Sequence, residues 1–232
     1  MADLKTPQSE DVLAQDAIRG IQSGMTIGLG TGRSANRVIR ALAEKVRLDR
    51  LRIRCVGTSH ASETTATELG LDVHPFGKVE KVDLLFDGVD EIDPKLRMLK
   101  GQHGAVARQR LVARASERCI YLADEAKLVS RLGQQATLPV AVLSFGLAFV
   151  REELRNLGLS GVIRRRMDGE QYVTDDGNLV IDVTLPDRDP EEVARELDSL
   201  PGVVDHGLFI TEADEILLEQ PNGQVRHMAR ET

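Results

Sequence analysis

Apolar and polar positions along this chain fall into blocks that alternate between a helical and a strand-like period. From residue 9, SEDVLAQDAIRGI carries Val12, Leu13, Ala17, Ile18 and Ile21 at helical spacing. A strand over Met25 to Leu29, the turn GTGR, a helix over Ser34 to Val46 with Val38, Ile39, Leu42 and Val46 on one face, and a strand from Leu51 to Val56 form one β-turn-α-β unit. The pattern then predicts a helix over Ala61 to Leu69, strands at Leu71 to Val73 and Val82 to Phe86, a helix from about Gly104 to Ala113 and a strand from Arg118 to Leu122. Strands that read as unbroken apolar runs between helices imply an α/β fold, a doubly wound and mainly parallel sheet covered on both faces.

After residue 130 the pattern changes. LPVAVLSF precedes the helical segment GLAFVREELRNLG, and the short runs GVIRRRM, QYVTDDG and NLVIDVTL follow, with TDDGN as the turn of a hairpin. A helix from Pro190 to about Leu197 and a strand from Val203 to Asp205 complete a smaller α+β segment. The last stretch reads as two or three short strands with a turn at Asn222-Gly223, placed to rejoin the first sheet. Two domains are expected: residues 1–130 with about 206–232, and about 131–205.

The 232 residues carry 41% hydrophobic and 29% charged side chains, which excludes disordered, collagen-like and fibrous classes. A net charge of −7 repels nucleic acid and anionic membrane, so neither is an expected partner and any bound anion needs a local site. Aromatic residues at 3%, with no Trp, leave few platforms for stacking bases or sugars. The acidic start MADLKTPQSED lacks an apolar leader core, and no run approaches the length of a membrane span, so the chain reads as cytoplasmic. Cys55 and Cys119 sit in apolar runs and read as reduced core residues.

Chemistry concentrates at strand ends. In GLGTGRS, residues 28–34, the loop amides and a helix N-terminus favour an anion, and Thr31, Arg33 and Ser34 are the side chains suited to a small phosphate. A dinucleotide fingerprint would need glycine where Arg33 stands, and no Lys-Ser/Thr pair completes a P-loop; a purely structural turn remains the other reading. In LLFDGVDEID an apolar strand runs into Asp87, Asp90, Glu91 and Asp93, and Asp87 and Asp90 would project into the crevice at the carboxyl ends of the strands. A solvated acidic turn would look the same, while a metal site lacks nearby histidine and calcium-loop spacing. Lys100 lies one loop further on, before two glycines and a helix, suited to an oxyanion or phosphate. Lys127 in ADEAK offers a second cation, and His103 is either exposed or a titrating site residue. No nucleophile elbow, Cys/His pair or zinc spacing occurs.

Together these segments resemble the type A ribose-5-phosphate isomerase family of the non-oxidative pentose phosphate route. The resemblance rests on GLGTG with Ser34, FDGVDEI at 86–92, Lys100-Gly101, ADEAK at 123–127, LPV at 138–140, VTDDGN at 173–178, and PGVV followed by GLF at 201–209. It implies a doubly wound domain with a smaller α+β domain, no cofactor or metal, a homodimer or homotetramer, and aldose-ketose isomerisation of a sugar phosphate through an enediolate. It further implies that Asp87 assists ring opening, that Asp90 and Gly88 belong to the same acid-base motif, and that Lys100, beside Gly101, stabilises the oxyanion. Gly30, Thr31, Gly32, Arg33, Ser34 and Lys127, with Gly88 and Gly101, are then the substrate and phosphate grip.

The chain departs from the family at the centre. The base, a Glu nine residues beyond the lysine, is Gln109 here, and the glycines after Gly101 are Gln102 and His103 before Gly104. His60 replaces a loop acid, an N-terminal lysine becomes Glu10 or Asp11, and Arg33 replaces a small residue and restores positive charge. An amide accepts no proton near neutral pH. Two readings follow: an isomerase of ribose 5-phosphate or a relative whose base is His103, Asp87 or Asp90, and a sugar-phosphate-binding protein without turnover.

Overall fold

The computed structural model describes residues 11–230. Helix α1 (Val12–Ile18) is capped by Asp11, whose carboxylate accepts from the Ala14 amide. Then come β1 (Thr26–Leu29), α2 (Arg33–Asp49), β2 (Arg54–Gly57), α3 (His60–Glu68), β3 (Leu84–Gly88), β4 (Glu91–Ile92), β5 (Met98–Leu99), α4 (Val106–Arg114) and β6 (Cys119–Asp124). The rest is β7 (Leu138–Val142), α5 (Leu147–Asn156), β8 (Gly161–Ile163), β9 (Leu179–Val183), α6 (Pro190–Asp198), β10 (Val203–His206), β11 (Leu208–Phe209), β12 (Glu215–Glu219) and β13 (Val225–Ala229).

A six-stranded sheet has the order β13-β12-β6-β3-β1-β2, parallel throughout except for the edge hairpin strand β13. Side chains alternate between its faces, as the pleat requires. Ile27, Leu29, Phe86, Ile120 and Leu122 pack with Leu13, Ile18, Val38 and Leu42 of α1 and α2. Leu85, Tyr121 and Ala123 pack on the other face with Val112 of α4 and with Met98 and Phe209. Burial on both faces is why these strands read as unbroken apolar runs. The chain leaves β1 toward β2 on one side and returns to β3 on the other, so strand order reverses between β1 and β3, and a crevice opens there.

The second sheet, β10-β7-β9-β8, is antiparallel and packs under α5 and α6 around Val140, Ile181, Leu154 and Leu197. A third sheet, β11-β5-β4, lies outside what the pattern predicts, because its strands are only two residues long and carry no period. Two further expectations are corrected. Leu71 to Val73 makes only a single bridge, Cys55 with Val73, and the TDDGN turn is closed by the lone Val173–Leu179 bridge rather than by a paired ladder. The terminal hairpin with Asn222-Gly223 rejoins the first sheet as expected. Cys55 and Cys119 are free and buried, and burial pushes both thiols up to about 12.

Candidate active site

Gly30 follows β1 and donates its amide to Phe86 O on β3, 2.9 Å away. A Cβ there would lie 2.6 Å from that same oxygen and closer still to Asp87, so only glycine lets the loop cross β3. Gly32, at φ +101°, then starts α2 without any side-chain cap, and the first turn of α2 holds no acidic residue. A 17-residue helix thus opens on uncapped amides beside Arg33 and Ser34, a setting that favours an anion.

Asp87 sits at the centre. Its Oδ1 accepts from the amides of Thr31 (2.9 Å) and Gly88 (2.8 Å), and its Oδ2 from Lys100 Nζ and Gln109 Nε2 (both 3.0 Å). Lys100 Nζ also donates to Gly88 O, which leaves one of its three N–H groups for a ligand. The ammonium lies 5.0 Å from the Tyr121 ring and 5.5 Å from that of Phe209. Asp87, Lys100 and Gln109 are all buried, and burial pushes the Tyr121 phenol well up from its ordinary value. This is an ion pair held on an apolar floor, where attraction is little screened.

Above it lies a cleft of about 70 Å³, lined by Thr31, Gly32, Arg33, Ser34, Gly88, Asp90, Lys100, Gly101, His103, Gln109, Asp124 and Lys127. Nearly every residue singled out in the sequence is therefore in one place. Arg33, exposed, and Lys127, half-buried, have no carboxylate partner among the described residues. Asp90 accepts the Gln102 amide on Oδ2 (3.1 Å) and nothing from the described residues on Oδ1. Gln109 Oε1 is buried with no partner among the described residues. An adjoining chamber of about 390 Å³ shares Thr31, Gly32, Arg33 and His103 with the cleft and adds Asn36, Ser59, Tyr172 and Asp175. The His103 ring packs over Gly32 between the two, its Cε1 3.0 Å from where a Cβ of Gly32 would stand.

The geometry corrects several expectations. Asp87 does not project into the crevice: its carboxylate is fully buried and consumed by four donors. Glu91 and Asp93 are structural, Glu91 accepting from the amides of Gly133, Gln135 and Ala136, and Asp93 from Arg97. Gly30 shapes the loop without lining the cleft. His60 faces a separate groove and donates its amide to Asp175, while Asp11 pairs with Arg37. Glu10 lies outside the described residues. Among the described residues no cluster of His, Cys, Asp and Glu is arranged to hold a metal ion.

Sequence reasoning missed Arg110, Arg164 and Tyr172. Arg110 joins α4 to Asp205, Glu212 and the carbonyls of His206 and Leu208, with its guanidinium 4.1 Å from the Phe209 ring. Arg164, just after β8, and Tyr172, in the connection from β8 to β9, reach the Gly101–Gly104 loop. The one signal, a cationic run RRR within a strand-like segment, concerned Arg164 alone.

Comparison with known proteins agrees with this geometry. Residues 54–223 match the family described as ribose 5-phosphate isomerase A (phosphoriboisomerase A). A protein of Roseiflexus sp. (strain RS-1) named ribose-5-phosphate isomerase A is 41% identical over 214 residues, 91% of this chain and 92% of that one. The structure of ribose 5-phosphate isomerase A from Methanocaldococcus jannaschii superposes with a TM-score of 0.89 at 31% identity, covering 94% of this chain and 96% of the other. A D-ribose-5-phosphate isomerase solved in complex with phospho-erythronic acid gives 0.90 at 30% identity over 95% and 97%.

Proposed function

This chain belongs to the ribose 5-phosphate isomerase A family, and we propose that its cleft interconverts D-ribose 5-phosphate and D-ribulose 5-phosphate with Asp90 as the base. The carrying observation is that Asp90, whose Oδ1 has no donor among the described residues, lines the same cleft as a buried Lys100 with one N–H left to give. In the open-chain aldose, Asp90 takes the proton from C2. The C–H electron pair becomes the C1–C2 double bond, and the carbonyl pair moves onto O1, where Lys100 stabilises the developing charge. Return of the proton to C1, with transfer of the O2 proton to O1, gives the ketose. Gln109, an amide, takes no proton, and its unpartnered Oε1 is placed to accept a sugar hydroxyl.

The phosphate goes to the uncapped α2 amides with Ser34, Arg33 and Lys127, the unpaired cations offsetting the acidic net charge locally. Asp87 acts through Lys100 and Gln109 rather than on substrate, since no lone pair of its carboxylate is left over. The division into residues 1–130 with about 206–232 and about 131–205 is supported by the origin of the strands: the antiparallel sheet draws on residues 138–206. A cytoplasmic homodimer or homotetramer completes the reading; light scattering on the purified chain tests it.

The direct test is conversion of ribose 5-phosphate in the presence of EDTA, followed in D2O by proton NMR. Turnover with deuterium entering the product at C1 is expected, and loss of both in Asp90→Asn. Binding without turnover would establish the sugar-phosphate-binding reading instead.

A further inference from the structure

The Gly101–Gly104 loop carries the groups that face the cleft between Lys100 and α4, yet it has no secondary structure of its own. Gly101 and Gly104 sit at φ +96° and +83°, and the turn closes on itself by one bond, Gly104 N to Gly101 O at 2.8 Å. Everything else that holds it comes from elsewhere. Arg164, at the end of β8, gives Nη1 to Gln102 O (2.8 Å) and Gly101 O (3.3 Å). The rest of its guanidinium is fixed by Asp182 on β9, with Nε 2.9 Å from Oδ2 and Nη2 on Oδ1. The Tyr172 ring lies 5.7 Å from the Arg164 guanidinium, and its hydroxyl donates to His103 O at 3.1 Å; it packs where a Cβ on Gly104 would stand.

One peptide plane links this clamp to the chemistry. The peptide between Gly101 and Gln102 accepts from Arg164 at its carbonyl and donates to Asp90 Oδ2 at its N–H, 3.1 Å away. A cation at the carbonyl end polarises the amide and strengthens the bond at the other end. That bond fixes which oxygen of Asp90 is held and which faces the cleft.

We propose that Arg164, braced by Asp182, is a positioning residue for the isomerisation, setting Asp90 through the Gly101–Gln102 peptide. The antiparallel sheet thereby acquires a role in catalysis although it supplies no group to the cleft. The proposal rests on Asp90 as the base, and the test separates the two.

In Arg164→Met, kcat should fall about 10-fold or more, because small misplacements of a reacting group are costly. KM should move less than about threefold, because the phosphate grip belongs to α2 and Lys127. The amides of Gln102 and Gly104 should exchange with solvent faster, with β9 unchanged. In an Asp90→Asn background, Arg164→Met should cause no further fall in the residual rate. Arg165→Met, whose guanidinium reaches only Gly169 O, should behave as the parent. Should Arg164→Met fail to fold, Tyr172→Phe, which loses a single bond to the loop, is expected to lower kcat about two- to fivefold. Parental kcat in these variants beside an inactive Asp90→Asn overturns the clamp alone, as does an undiminished loss in the Asp90→Asn background or unchanged exchange. Parental kcat in Asp90→Asn overturns the base assignment, and a parent without turnover overturns both.

Discussion

Gln109 gives its amide Nε2 to Asp87 Oδ2 at 3.0 Å and leaves Oε1 buried without a donor among the described residues. The amide therefore commits its donor to the buried ion pair and keeps an unused acceptor in a side chain that lines the cleft. A glutamate in the same rotamer would place a carboxylate oxygen where Oε1 now stands, on a helix rather than on the loop that carries Asp90. Rigid elements hold reacting groups more accurately than loops. Gln109→Glu should accordingly raise kcat by about 10²-fold, the scale of a well-placed general base. In that variant Asp90→Asn should cost far less than it does in the parent. A Gln109→Glu enzyme no faster than the parent, measured by the same isomerisation assay, would show that position 109 contributes no proton acceptor.

The Lys100–Asp87 pair makes a stability prediction distinct from its catalytic one. Lys100→Met should reduce kcat about 10²-fold with KM little changed, through loss of oxyanion stabilisation. It also strands Asp87, fully buried, and breaking one side of such a pair costs about 3–5 kcal/mol. Adding Asp87→Asn should recover most of that stability in urea unfolding. The Asn Oδ1 retains the Thr31 and Gly88 amides, and its Nδ2, which replaces the oxygen facing Gln109 Nε2, gains an acceptor when the Gln109 amide turns over to present Oε1. Equal stability of the single and double variants would mean the ion pair is not what the buried charge depends on.

Arg33 and Lys127 should act on binding alone. Each is a cleft-lining cation free of carboxylates among the described residues. Charge-assisted bonds contribute about 1.5–3 kcal/mol, so Arg33→Ala and Lys127→Ala should each weaken phosphorylated ligands about 10-fold or more while kcat stays within a few-fold. Calorimetry with the parent's substrate and its unphosphorylated sugar measures this; equal losses for both would remove the phosphate from the assignment.

Much of this arrangement was legible from residue order alone, and the reason is topological. Strands buried on both faces announce themselves as apolar runs, and their carboxyl ends mark the crevice, so Thr31, Asp90, Lys100 and Lys127 could be placed together before any coordinates. The division of labour among the acids could not. Asp87, Asp90, Glu91 and Asp93 look alike in sequence, and only the folded chain gives Asp87 four donors, Glu91 a set of loop amides and Asp90 a free oxygen. Arg164 was invisible for a different reason: its partners Gly101 and Gln102 lie more than sixty residues away, and no local period encodes such a contact.

Gly30 provides a steric test of the loop crossing. Gly30→Ala forces a methyl to within 2.6 Å of Phe86 O and against the Asp87 backbone, neither of which can rotate away. Overpacking of this kind costs about 1–3 kcal/mol, and displacement of Thr31 from Asp87 should abolish phosphate binding as well. Gly77→Ala, with nothing within 4 Å of the added carbon, is the matched control. Parental binding in Gly30→Ala would show that the loop does not need its close approach to β3.

The last prediction concerns His227 on the edge strand β13, which reaches Glu215 (2.6 Å) on β12 and Asp16 (3.3 Å) on α1. The Glu215 hydrogen bond, aided by Asp16, raises its imidazole from the usual value. A group whose folded-state pKa is raised contributes its stability fully below the unfolded value, about 6.5, and loses it as pH climbs through the folded value. The contribution is therefore present below about pH 6.5 and fades on the alkaline side of it. Arg19 and Arg118 already pair with Asp16 and Glu215, and the imidazole is half exposed, so the effect belongs to the surface-pair range of at most about 1 kcal/mol. His227→Gln should therefore lower Tm by no more than about 2–4 °C at the acidic end and by nothing at the alkaline end. A Tm difference that is constant with pH, or that grows toward alkaline pH, would show that the packing of β13 rather than the charge of His227 makes the contribution.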